Sequence, residues 1–477
     1  MNALPSAHNK KEERMGTVKR LNPLDWTFLA AETREAMMHV GSLSPFTPPA
    51  DAPPDFLRRL MDEIRQDAQV YAPWNLKLKT PNFIANPLQA WVEDEQFDVE
   101  YHVRRSALPS PGDERELGIL VSRLHSNSID FHRPPWEVHF IEGLEGGRFA
   151  IYFKVHHALV DGYTGAKLME AGLSTNPKER DTPMFYAREP AERVARAAEA
   201  KVPTLEALMG LAREQAGASR NITKALFKTL VPGKEKTKSL LVAPMSAPKS
   251  ILNQKISRNR RFATQQFPVD RLKSVAKKFD GTLNDIVLAL SAAGLRKLML
   301  ELDALPEKPL TAMLPVNIRP KDDPGGGNAV GSILASLATD IEDPVERFHA
   351  IIASTREAKA QLSGMTKMGI MEYSALLMAP MMLTQIPGTV GRVRPAFNVV
   401  ISNVPGPKKQ LYFRGFKMDA YYPLSIPIAG YGLNITVVSY IDTLNFGFIG
   451  CRDTLPHLQR LAVYSREALE ELEAAAA

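Results

Sequence analysis

In His156-His157-Ala158-Leu159-Val160-Asp161-Gly162, two adjacent imidazoles precede a carboxylate and a glycine. A neutral imidazole, with an ordinary pKa of about 6.5, can take a proton from a hydroxyl or amine as that group attacks a carbonyl. A well-placed base of this kind is worth roughly 10²- to 10⁴-fold in rate. Successive residues of a strand face opposite ways, so His156 and His157 are expected to divide the work, one serving chemistry and the other packing. An isolated His-His pair is often no more than a strand end, but Asp161-Gly162 at this spacing turns the reading toward an active-site corner. A metal centre would draw on both imidazoles and Asp161. Adjacent strand residues diverge, however, and no HExxH or Cys/His cluster accompanies them, so no metal is expected.

The elements that must position this corner are visible on either side. Phe149-Ala150-Ile151-Tyr152-Phe153-Lys154-Val155 alternates large apolar residues with smaller or amphipathic ones, which predicts a half-buried strand ending at the pair. Asp161-Gly162 is a turn pair, and Thr164 is expected to cap a helix carrying Leu168 and Met169. More widely, 44% hydrophobic and 23% charged residues over 477 positions describe a globular chain with room for two domains. Residues 1–20 lack the apolar core of a secretory signal and read as a disordered lead-in. Residues 21–174 alternate strand and helix patterns and are expected to form a first domain ending just past the histidines. Residues 175–251, charged and interrupted by prolines, read as a helical, basic linker. The second domain is expected over 252–477, with helices near Val269–Lys278 and Leu283–Leu300 and strands around Ala312–Ile318, Ala396–Ser402 and Leu433–Ile441.

Further motifs extend along almost the whole chain. Leu21-Asn22-Pro23-Leu24-Asp25 with Phe28 is followed by Met38-His39-Val40-Gly41, then Phe97-Asp98, His102-Val103-Arg104-Arg105, Leu108-Pro109, Leu124-His125 and Asp130. Arg133-Pro134-Pro135-Trp136-Glu137 precedes the histidine strand. Asn284-Asp285, Leu314-Pro315-Val316-Asn317-Ile318-Arg319-Pro320 and Ser402-Asn403-Val404-Pro405-Gly406-Pro407 follow it. In this order they resemble the bacterial bifunctional wax ester synthase/acyl-CoA:diacylglycerol acyltransferase family. That family lies within the CoA-dependent acyltransferases shaped like chloramphenicol acetyltransferase, which share the His-His-x-x-x-Asp-Gly signature. Pro135 stands where the family's Pro-Leu-Trp motif has leucine, a change in turn rigidity with little bearing on chemistry.

The resemblance implies an α/β (α+β) fold of two chloramphenicol-acetyltransferase-like domains, with mixed sheets flanked by helices and a crossover linker. It implies acyl-CoA as co-substrate and no other cofactor, with a long-chain alcohol or diacylglycerol as acceptor. The second histidine of the signature is the base in that group, which carries over to His157. Asp161 is then structural, beside Gly162, and His156 belongs to the same catalytic corner. Asn284 and Asp285 carry over as supporting residues, and Trp136, Asn317, Arg319, Ser402 and Asn403 as candidates for substrate or CoA contact. The family's arrangement would also bring Asn284 and the strand of Asn317 near His157. Three alternatives stay open: a condensation-type enzyme using carrier-protein thioesters, an idle lipid-inclusion binding protein, and a His-x-x-x-x-Asp reading, as in membrane-bound glycerolipid acyltransferases, that makes His156 catalytic.

Charge and composition bear on partners. The net charge of +6 is concentrated, with Lys234, Lys236, Lys238, Lys249, Lys255, Arg258, Arg260 and Arg261 facing the single acid Glu235. That run is a solvated linker, a contact for anionic lipid headgroups, or a neutraliser of CoA phosphates. No nucleic-acid motif or interleaved aromatics accompany it, so no nucleic acid is expected. The single Cys451 leaves no intrachain disulfide, as expected of the cytoplasm. Six of the 18 methionines fall between Met365 and Met382, where they are core filler, a wall of an acyl tunnel, or a lipid-facing surface. The uncharged stretches Tyr373 to Gly391 and Ala420 to Ile441 are broken by prolines and glycines, so neither predicts a spanning helix. Peripheral association with a membrane or lipid inclusion is the resulting expectation.

Overall fold

Strand alternation and capping chemistry set the order of elements. The computed structural model describes residues 19–21, 23–66, 69–82, 89–160, 162–189, 242, 245–317, 330–363, 365–385 and 388–476. Asp161, Arg319 and most of the expected linker lie outside these residues. The first half carries β1 (Lys19–Arg20), β2 (His39–Thr47), β3 (Leu76–Leu78), β4 (Ala90–Glu93), β5 (Val103–Ala107), β6 (Trp136–Glu142) and β7 (Phe149–His156). Its helices are α1 (Pro23–Ala31), α2 (Phe56–Gln66), α3 (Val99–His102), α4 (Glu114–His125) and α5 (Gly162–Ala171). The second half carries β8 (Arg260–Pro268), β9 (Thr311–Asn317), β10 (Val330–Ser336), β11 (Val399–Val404), β12 (Tyr412–Phe413), β13 (Phe416–Met418), β14 (Tyr422–Leu424), β15 (Leu433–Tyr440) and β16 (Thr443–Cys451). Its helices are α6 (Val269–Lys278), α7 (Leu283–Glu301), α8 (Pro344–Leu362), α9 (Lys367–Thr384) and α10 (Arg460–Ala476).

Two mixed sheets result, flanked by helices. The first runs β12-β13-β2-β7-β6-β5, with β14 also on β2, and its parallel pair β5–β6 is joined through α4. The second runs β10-β9-β11-β15-β16-β8, with β11 parallel to both β9 and β15. Strands β12 to β14 come from within the range expected for the second domain, yet they pair in the first sheet. A shared apolar cluster of Leu43, Val121, Tyr152, Phe262 and Ile449 joins the halves. There α4 is pinned to β8, because Ser122 Oγ accepts the Phe262 N–H at 2.9 Å and Ser126 Oγ accepts that of Arg260 at 2.8 Å.

Packing explains where the sequence expectations shift. Every residue of β7 is buried, because β2 and β6 flank it and both of its faces are covered, so it is a central strand and not the half-exposed one its alternation predicts. Helix α5 already begins at Gly162, which places Thr164 inside the first turn instead of at the cap. At α7 the Thr282 hydroxyl accepts the Asp285 N–H, and the Asp285 carboxylate accepts the Thr282 N–H at 2.8 Å, a reciprocal capping box. Helices α6, α7, α8 and α10 bury Leu272, Leu295, Phe348 and Leu469 against Ile435 and Phe446 of the second sheet. Each such side chain contributes about 1.5–3 kcal/mol. Helix α9 continues through Pro380 to Thr384, and Met378 and Met381 pack beside Leu334, Leu377 and Phe397. Among the described residues, no helix is long and apolar enough to cross a membrane.

Candidate active site

Strand β7 delivers the two histidines to opposite sides of the first sheet. His156 turns inward and is 1% exposed. Its Nδ1 accepts the Ala158 N–H at 3.1 Å, which leaves the ring proton of the neutral form on Nε2. That nitrogen lies 3.4 Å from the Glu32 carboxylate, outside hydrogen-bond geometry but within electrostatic contact. Phe131 meets the same ring edge-on, with centroids 5.0 Å apart. His156 therefore shapes the turn after β7, and its burial removes it from any solvent-reached reaction.

His157 faces the other way, onto a cavity of about 270 Å³. Its backbone N–H donates to the Met38 carbonyl at 2.9 Å. Its ring stacks on Phe28 at 3.9 Å between centroids and 22° between planes. Glu32 supports the corner from both sides: its carboxylate accepts the Met38 N–H and sits against His156. Neither Glu32 nor the Phe28 stack was singled out in sequence as part of the site.

The cavity is built from rows whose spacing follows the secondary structure. Strand β7 presents Ile151, Phe153, Val155 and then His157, and β2 presents Val40, Ser42, Ser44 and Phe46 beside them. Helix α5 turns one face inward, made of Gly165, Ala166, Met169 and Glu170, and Leu173 adds to it just past the helix end. The second sheet adds Ser402 and Val404 of β11, opposite Thr436 and Val438 of β15. The wall is thus apolar with a few hydroxyls, and Thr436 Oγ1 is already committed to Asn434 at 2.8 Å. The pair Lys167–Glu170, 2.7 Å apart and partly exposed, marks an opening to solvent.

Behind β7 the packing is polar. Lys154 is fully buried; its Nζ donates to the carbonyls of Leu124 and Asn127 at 3.2 and 3.0 Å and lies 3.4 Å from Glu137. Burial pushes the Glu137 carboxyl up, but the hydrogen bond from His139 and the charges of Lys154 and Arg104 outweigh it and hold the group at about 2. Burial also holds the imidazoles of His39 and His125 well below the ordinary histidine range. These two rings meet edge-on at 4.5 Å, and His125 Nδ1 is 2.8 Å from the Tyr152 hydroxyl.

The residues nominated from sequence scatter. His157 and Ser402 line the cavity. Asn403, the next residue along β11, points the other way and is exposed. Trp136 is 0% exposed and sits in an aromatic core with Trp74 and Phe185, its indole N–H donating to the Trp74 carbonyl at 2.7 Å, so it supports the sheet and does not line the cavity. Asp285 is spent on its capping box and on the Thr355 hydroxyl at 2.7 Å. Asn284 lies in the first turn of α7, a helix that among the described residues adds nothing to the cavity lining, and Asn317 ends β9. Gly162 opens α5, while Asp161 and Arg319 lie outside the described residues. Met169 and Met418 are the methionines that, among the described residues, line this wall. Among the described residues, no group of three or more His, Cys, Asp or Glu side chains is arranged to hold a metal.

Two mixed sheets meeting at a histidine-headed apolar cavity define a two-domain fold shared with condensation domains. The first condensation domain of the CDA synthetase superposes with a TM-score of 0.54 at 16% identity, covering 97% of each chain, a likeness of fold alone. The chain belongs to the wax ester synthase/diacylglycerol acyltransferase family: residues 21–287 match the family's catalytic domain and residues 326–473 its C-terminal domain. It is similar to a putative diacylglycerol O-acyltransferase of Mycobacterium tuberculosis H37Rv, at 52% identity over 96% of this chain and 98% of the relative. The O-acyltransferase WSD of Acinetobacter baylyi is 40% identical over 96% of this chain and 97% of its own length. The solved wax ester synthase/diacylglycerol acyltransferase of Marinobacter aquaeolei VT8 superposes with a TM-score of 0.76 at 38% identity, covering 96% of this chain and 99% of that one. The protein is accordingly an acyltransferase enzyme.

Proposed function

We propose that the protein transfers a long-chain acyl group from acyl-CoA to the hydroxyl of a fatty alcohol or a diacylglycerol, with His157 as general base. The observation that carries this reading is the position of His157, a half-buried imidazole at the head of an apolar cavity. The imidazole takes the hydroxyl proton as the oxygen attacks the thioester carbonyl. A tetrahedral oxyanion forms, the carbon–sulfur bond breaks, and the thiolate of CoA leaves and recovers the proton from His157. A thioester is already activated, so both substrates can react directly in one ternary complex without an acyl-enzyme. The apolar wall suits alkyl chains, whose burial is worth about 0.8 kcal/mol per methylene. The test is turnover by the purified protein with acyl-CoA and hexadecanol or dioleoylglycerol, followed by free thiol and by product chromatography. No thiol release with any acceptor overturns the reading.

The enzyme is further proposed to work against a lipid surface without spanning it. Its acceptors are almost insoluble, Trp26 of α1 is 42% exposed, and Lys255 and Arg258 are exposed beside the first turns of the second half. Arg260 cannot share that role as the basic run suggested, because it is 2% exposed and its guanidinium donates to the Ser257 and Glu35 carbonyls. Flotation with anionic vesicles should weaken as salt rises, since the Debye length falls to about 3 Å near 1 M. Flotation unaffected by salt and by Lys255→Ser with Arg258→Ser removes the electrostatic contact.

A further inference from the structure

Helical glycines need a reason, because glycine weakens a helix relative to alanine. Just past the end of α5 close packing supplies that reason for Gly172, where a Cβ would come within 3.0 Å of Phe185 N and Cβ. Gly165 is different. Its φ is not positive, and among the described residues a Cβ there would touch only Val160 Cγ2, at an ordinary 3.4 Å. The space beyond is the cavity that His157 heads. Local choices that run against the element they sit in concentrate at functional sites.

The cavity has the shape of a channel. From His157 the β7 row runs through Val155 and Phe153 to Ile151, about 20 Å at about 3.3 Å per residue. Among the described residues, the start of α5 brings Gly165, Ala166 and Lys167 to the lining. One turn after Gly165 the same helix face carries Met169, and Leu173 follows just past the end of α5. The far end closes on Phe46, Leu411 and Met418, all nearly solvent-free.

We propose that this channel holds one substrate alkyl chain, extended from His157 toward Phe46 and Ile151, and that Gly165 determines which chains pass, because its bare Cα leaves room for methylenes beside the base. The inference rests on the acyltransferase reading above and adds the residue that sets chain selectivity. The chain belongs to either the acyl donor or the acceptor. In both cases the same methylenes fill the same wall, and a side chain at 165 excludes the long chain while a short one still reacts.

The test is a chain-length profile of Gly165→Leu in two arms. One varies the donor, butanoyl-CoA against hexadecanoyl-CoA, with a fixed acceptor; the other varies the acceptor, butanol against hexadecanol, with a fixed donor. In one arm kcat/KM for the long chain should fall at least about ten-fold more than for the short chain, the size of steric discrimination in apolar pockets. The arm that responds identifies the occupant. Gly165→Ala, favoured by the helix, should shift the same arm in the same direction by less. Should the leucine variant fail to fold, Gly165→Ala and Met169→Trp, one turn along the same face, decide the matter. An unchanged ratio in both arms, or an equal loss for long and short chains, overturns the proposal. If the unaltered protein turns over none of these substrates, the acyltransferase reading fails. Displacement of a fluorescent hexadecanoic acid analogue, compared between the unaltered protein and Gly165→Leu, then still tests the channel, with equal affinity counting against it.

Discussion

The two faces of β7 are made of opposite materials. Toward α4 it buries Tyr152, Lys154 and His156, each held by named partners. Toward the cavity it shows Ile151, Phe153 and Val155, and the only ionisable group that continues that row is His157. One face is closed and rich in polar contacts, and the other is apolar and borders the cavity. Buried charge is costly unless paired, so the polar face, with Lys154 held by two carbonyls and Glu137, keeps the strand in register. The cavity face can then be shaped for a ligand without carrying the burden of positioning.

That contrast breaks most directly at the histidines. His157→Ala should lower turnover by about 10²-fold or more with little change in melting temperature. His156→Ala should lower the melting temperature first, because it removes the acceptor of the Ala158 N–H inside the core. A folded, inactive His156→Ala beside an active His157→Ala would reverse the roles of the two faces.

The next effect is on stability. Lys154→Met leaves Glu137 buried without its nearest ammonium and should cost about 3–5 kcal/mol in denaturant unfolding. Pairing it with Glu137→Gln should recover part of the loss, whereas additive losses would show that the two groups do not support one another.

Acid offers a graded version of the same test. Burial holds His39, His125 and His139 below the ordinary histidine value and His102 at about 4. Below a pH of about 6.5 the unfolded chain takes up protons that the native state refuses, so stability falls with pH from there down to the folded values, at up to about 1.4 kcal/mol per pH unit for each histidine. Glu137 extends the loss from its ordinary range down to about 2. The melting temperature should therefore begin to drop between pH 6.5 and 5, before most carboxylates protonate; a flat profile there would show these rings to be accessible.

The smallest effect belongs to the second half. Thr282→Ala removes one side of the α7 capping box and should cost about 1 kcal/mol, with activity per folded molecule unchanged. A loss of turnover without a loss of stability would return Asp285, the partner in that box, to the catalytic machinery.

Period-two and helical patterns made much of this architecture legible in sequence. The expected helix over Val269–Lys278 is α6, and the strand expected around Leu433–Ile441 is β15, because apolar alternation and end signals act locally. Burial is not local. The sequence of β7 alternates like a half-exposed strand, and only its neighbours β2 and β6 make it central. The same limit applied to the site. Trp136 and Asp285 sit in recognisable motifs, yet one serves the aromatic core and the other a helix start. Glu32 and Phe28 reach the histidines through a loop and a helix far away in sequence, and no spacing rule marks such contacts. The β2 row Val40, Ser42, Ser44 and Phe46 does carry a two-residue period that could have been read as a wall.

Strands β13 and β14 pair with β2 although roughly the whole linker and most of the second half separate them in sequence. A ribosome has therefore to translate past Leu424 before the first sheet can close along β2. Until then that strand offers a bare edge of unpaired N–H and carbonyl groups, the kind of surface on which chains join one another. The nascent enzyme passes through an interval in which its catalytic half is synthesised but unfinished, and separately expressed N-terminal pieces ending before Tyr412 would keep that edge permanently.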